Sequence, residues 1–76
     1  MRRYANSSGN SGVVAYATSS DGILVRFAGG DIYEYTAQKP GAAIVARMKA
    51  LATHGKGLST YIAQEVRENY FRKLAT

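Results

Sequence analysis

The 76-residue sequence predicts an α+β fold, a three-stranded antiparallel meander followed by two helices packed on one face, in the order β-β-β-α-α. Two observations carry this prediction. Three short runs rich in β-branched and aromatic residues lie between residues 13 and 35, separated by Gly, Ser and Asp turn chemistry. After Lys39 the apolar period changes from two to 3.6 and stays helical. A chain this short holds one domain with one modest core. The expected division is a flexible basic and polar arm over residues 1–12 and a single α+β domain over residues 13–76.

The arm runs through Asn6-Ser7-Ser8-Gly9-Asn10-Ser11-Gly12, a composition with almost nothing to pack. Its chemistry is confined to Arg2, Arg3 and Tyr4, and is either a free terminus or a basic arm that orders on nucleic acid. Val13-Val14-Ala15-Tyr16-Ala17 begins the sheet and ends in the turn-forming Thr18-Ser19-Ser20-Asp21-Gly22. In the next strand Ile23, Val25 and Phe27 share one face and Arg26 takes the other. Ala28-Gly29-Gly30-Asp31 turns the chain into Ile32-Tyr33-Glu34-Tyr35. A two-residue turn at Gly29-Gly30 sets Phe27 opposite Ile32. A three-residue loop is expected to set Phe27 opposite Tyr33 and Arg26 opposite Glu34, which joins large apolar groups and opposite charges, and this register is preferred.

Pro40 suits the first turn of a helix. Ile44, Met48 and Leu51 mark one face of that helix, with Val45 and Ala52 beside it, and Gly55 fits a left-handed cap. The second helix is expected to start at Ser59, whose hydroxyl caps free N–H groups. Its stripe is Ile62, Val66 and Tyr70 with Leu74 at the end, and Glu68 and Arg72 lie four apart on the wet side.

Composition narrows the function. Cysteine is absent, which removes disulfides, thiolate metal sites and thiol nucleophiles. One histidine and five carboxylates make a metal centre a poor expectation, so neither metal nor cofactor is predicted. No stretch reaches the roughly 18 apolar residues of a membrane span, and Met1-Arg2-Arg3-Tyr4 is not followed by the apolar core of a signal peptide. A cytoplasmic protein without membrane contact is the expectation. Ten Lys and Arg against five Asp and Glu leave a net charge of +5, which serves solubility or favours an anionic partner.

His54 is the only imidazole, and its place before Gly55 suits the end of a helix dipole rather than acid–base work. No residue is placed to orient a Ser59–His54 pair, so no catalytic residue is assigned and a non-enzyme is expected. Gly55-Lys56-Gly57-Leu58-Ser59-Thr60 fails the spacing of a phosphate-binding loop, in which Lys directly precedes Ser or Thr. Lys56 and the flanking N–H groups remain able to hold one backbone phosphate, or the segment is an ordinary connection. Most of the six tyrosines and two phenylalanines fall on predicted core faces, which suits packing in a small core. Tyr61 flanks the stripe of the second helix, and Phe71 is expected opposite Ile62 on its wet face, where an aromatic marks an interface.

The layout of these elements resembles the KTSC domain, named for the C-terminal extension of some lysyl-tRNA synthetases and found also as a stand-alone protein. The likeness runs from Ser11 and Val14-Ala15-Tyr16, through Ile23-x-Val25-x-Phe27, Gly30 and Tyr33-x-Tyr35, to Pro40, Gly55, Leu58, Ser59 and Ile62. Leu58 stands where the family has an aromatic, Ser59 where it has Asn, and Val66 where it has Tyr; Pro40 comes one residue late. The resemblance implies the fold and, through the synthetases, a nucleic-acid-related role without established catalytic residues.

Two readings follow. A small binding module engages nucleic acid or a ribonucleoprotein through Arg2, Arg3, Lys56, Arg67, Arg72 and Lys73. Alternatively, the chain is a protein-binding adaptor, or a phage-type inhibitor of a host defence complex of the CRISPR kind, acting through Tyr61, Phe71 or the open sheet face. A homodimer that completes the core is compatible with either.

Overall fold

Alternation along the central strand sets the architecture. Ile23 and Val25 are buried on one side of the chain while Arg26 is exposed on the other, so one sheet face is committed to the core. The computed structural model describes residues 1–5 and 12–75. It is an α+β fold with an antiparallel sheet and two helices, but the sheet has five strands in chain order rather than three: β1 (Arg2–Arg3), β2 (Val13–Thr18), β3 (Gly22–Phe27), β4 (Ile32–Thr36) and β5 (Arg72–Ala75). Helix α1 (Ala42–His54) packs on β3 and β4, and α2 (Leu58–Tyr61) runs straight into a π-helical turn, Ile62–Val66.

The central hairpin closes with the three-residue loop Ala28 to Gly30, in which the Phe27 N–H donates to the Asp31 carbonyl at 2.8 Å. Neither expected register is the one found. Arg26 faces Ile32, Val25 faces Tyr33 and Ile23 faces Tyr35. The loop is centred on Gly29, whereas Phe27 opposite Tyr33 would centre it on Gly30. The two rings still meet diagonally, edge-on at 5.7 Å, so the aromatic contact survives the changed register. Gly22 is required at the other end of β3: a Cβ there would stand 2.7 Å from the Tyr35 carbonyl oxygen.

Buried Thr36 organises the passage into α1. Its hydroxyl accepts the Gln38 and Lys39 N–H groups, and its carbonyl accepts those of Lys39 and Gly41. Pro40, after a cis peptide bond, therefore lies in the connection and not in the first helical turn, which starts at Ala42. The buried line of α1 is Val45, Met48 and Ala52, with Ile44 and Leu51 at its margins, a small rotation from the expected stripe. Gly55 ends α1 in the left-handed conformation as its type predicts, its N–H donating to the Leu51 and Ala52 carbonyls. Each fully buried aliphatic side chain contributes about 1.5–3 kcal/mol.

The second helix departs most from expectation. It begins at Leu58, and the free Leu58 N–H donates to the hydroxyl of Tyr4 at 3.2 Å, so the cap comes from the far end of the chain and not from Ser59. It stops at Val66, because Arg67 adopts φ 53°, and the chain turns back to form β5 beside β4. The reason is non-local: Tyr70 packs against Tyr33 with tilted rings 4.6 Å apart, and the backbone of β4 gains hydrogen-bond partners. Arg72 accordingly pairs with Glu34, not with Glu68.

The tip of the arm is likewise structured. Arg2 and Arg3 pair with Tyr16 and Ala15, the Tyr4 N–H donates to the Val14 carbonyl, and Tyr4 is only 3% exposed. The polar stretch Asn6 to Ser11, expected to be a free arm, lies outside the described residues.

Two predictions test this arrangement. Tyr4→Ala should cost on the order of 3 kcal/mol and Tyr4→Phe about 1–3 kcal/mol, read from urea unfolding, because the second leaves the Leu58 N–H without its acceptor. Neutral effects of both would return residues 1–5 to a free arm. Arg67→Gly should raise the melting temperature, since positive-φ strain of about 1–3 kcal/mol outweighs the roughly 0.5–1 kcal/mol entropic cost of glycine. A lower melting temperature would contradict the left-handed turn at this residue.

Candidate nucleic-acid interface

The helices cover one face of the sheet, and no described element packs on the other. Residues directly opposite on paired strands project to the same side, so the uncovered face can be read from the register. One row runs Arg3, Ala15, Arg26 and Ile32; the next runs Ala17, Leu24, Glu34 and Arg72. The bulge at Val14 keeps Val13 in the core while turning Ala15 outward in line with Arg26.

Arg3, Arg26 and Arg72 are all exposed there. Strand spacing puts the backbones of Arg3 and Arg26 about 10 Å apart, and those of Arg26 and Arg72 about 12 Å apart. Glu34 is the carboxylate of the two rows, so three arginines against one acid leave that face net positive. The Glu34 Oε1 accepts from the Arg72 Nε at 2.6 Å. With Arg72 at 62% exposure, such a pair adds little stability; its consequence is to fix the direction of the guanidinium. That guanidinium also lies 5.7 Å from the centroid of the Phe71 ring. Between β2 and β5 a shallow depression of about 270 Å³ is lined by Ala17, Leu24, Glu34, Arg72 and Leu74.

The remaining expected cations do not join this face. Arg2 and Lys73 fall at opposite ends of the row Arg2, Tyr16, Val25, Tyr33 and Lys73, which belongs to the covered side. Lys73 lies 3.7 Å from Asp31 and over the Tyr33 ring at 5.6 Å. Lys56 is exposed in the α1–α2 connection, and Arg67 is exposed where the π-helical turn ends. The two expected interface aromatics are also separated. Half-buried Tyr61 lines a shallow groove of about 480 Å³ with Arg47, Leu51, Gln64 and Glu65. Phe71 is not opposite Ile62 on a helix; it precedes β5, its N–H donating to the Glu34 carbonyl at 2.7 Å.

The site gains Arg26, which strand alternation places outward and whose fellow arginines come from β1 and β5. Arg3 carries no local signal, because two residues are too short to show a period. Elsewhere, burial raises the Tyr35 phenol above its ordinary range, with Tyr33 and Tyr70 adding to the shift, so it stays protonated. His54 is exposed in the last turn of α1. Among the described residues no group of three or more His, Asp or Glu stands together to hold a metal, and no helix is long and apolar enough to cross a membrane.

No family model, curated protein or solved structure matches this chain.

Proposed function

We propose that this chain is a non-enzymatic binding module that takes nucleic acid, free or within a ribonucleoprotein, against the uncovered face of its sheet. The observation that supports the reading is the convergence of Arg3, Arg26 and Arg72, from β1, β3 and β5, on one face with a single carboxylate between them. Guanidinium groups match phosphate oxygens with paired N–H donors and are weakly hydrated, so they lose little when they meet a phosphate. Ala15 and Ala17 keep the floor between them low, which lets a backbone approach the sheet. The overall charge of +5 adds long-range attraction of the same sign. The resemblance to the KTSC domain points the same way, as analogy only.

Arg3→Gln, Arg26→Gln and Arg72→Gln together should weaken binding to a labelled oligonucleotide. They should also flatten the log affinity against log salt slope by roughly 0.7–0.9 for each phosphate no longer neutralised. Lys56→Gln with Arg67→Gln serves as the matched charge control and should change the slope less. An adaptor or an inhibitor of a host complex would give a different pattern. It would show no nucleic-acid binding at low salt and would capture its protein partner with little salt dependence.

A further inference from the structure

Phe71 is the one exposed aromatic side chain among the described residues, at 42%, while the other aromatics are buried or half-buried. Its backbone N–H is bonded to the β4 backbone, and the Arg72 guanidinium, paired with Glu34, lies over its ring. The apolar depression floored by Leu24 and Leu74 opens next to the same arginine. An exposed ring paired with a guanidinium of the cationic face is suited to stack on a flat partner.

We infer that Phe71 and Arg72 form a stacking subsite for one unpaired base, and that the ligand of the sheet face is therefore single-stranded. The inference rests on the reading of that face as a nucleic-acid surface. In a duplex the bases are paired and stacked on one another, so a ring at a sheet edge meets only backbone. A single strand turns its bases out, and one of them reaches Phe71 while its phosphates follow Arg26 and Arg3. Stacking is tolerant of sequence, since every base has a flat face.

The chain has no tryptophan, so Phe71→Trp introduces a single indole reporter at the subsite. Eight-nucleotide DNA and RNA strands should quench its emission on binding, and a blunt duplex of the same strand should not. By anisotropy, Phe71→Ala should lose about 5- to 150-fold in affinity for the single strands and nothing for the duplex. Phe71→Tyr should keep the single-strand affinity. Circular dichroism checks that each variant keeps the fold. If the wild type binds but Phe71→Ala loses nothing, or loses equally on both forms, the stacking subsite is rejected and the sheet-face reading survives. Equal quenching by duplex rejects it in the same way. If the wild type binds neither form at low salt, the sheet-face reading itself fails and takes this inference with it.

Discussion

A meander of three strands leaves two rows of backbone N–H and C=O groups unpaired, along the outer edges of β2 and β4. In this chain both rows are met by its own two ends. Residues 2–3 close the first edge and residues 72–75 the second. Exposed edges are solvated, so pairing them gains only about 0.5–1.5 kcal/mol for each hydrogen bond. That is too little to order the ends by itself. At the N-terminal edge, fixing residues 2–4 costs about 3–6 kcal/mol in backbone entropy, and burying Tyr4 contributes about 4–6 kcal/mol. Tyr4 at one end and the Tyr70–Tyr33 contact at the other decide whether the edges are closed.

Edge closure and function are linked through charge. Each end of the chain carries an arginine whose position in the ladder turns it to the uncovered side: Arg3 from β1 and Arg72 from β5. Between them stands Arg26 of β3, with Ala15 separating it from Arg3 in their row. A meander without its edge strands would show one arginine and one carboxylate on that face, and no net charge. Pairing with Glu34 across β4 and β5 also leaves the Arg72 guanidinium over the ring of its neighbour Phe71. The fold thus assembles its candidate site only when both edges are occupied.

What could be read from the sequence follows the range of the interactions. The alternation of β3, helix α1 and the left-handed Gly55 are local features, and each is found, the helix starting after Pro40 with its buried line slightly rotated. The stripe Ile62, Val66, Tyr70 and Leu74 has helical spacing, yet only its first half is helical. Tyr70 has a better partner in Tyr33, 37 positions earlier, and no local pattern encodes that. The same holds at the N-terminus, where the polar composition around Tyr4 reads as a free arm although its hydroxyl caps Leu58. Arg26 was legible as an outward residue. Its membership of a cationic face was not, because the other members arrive on strands created by long-range pairing.

Backbone NMR of the isotopically labelled protein tests edge closure by the C-terminal segment most directly. Closure predicts extended-chain carbon shifts over residues 72–75, a cross-strand proximity between the α-protons of Tyr33 and Lys73, and a slowly exchanging Phe71 amide bonded to the Glu34 carbonyl. Helical shifts continuing unbroken from Ile62 to Leu74, with cross-peaks between residues three apart and a fast-exchanging Phe71 amide, would contradict it. They would also dissolve the site, since Arg72 and Phe71 would then leave the sheet.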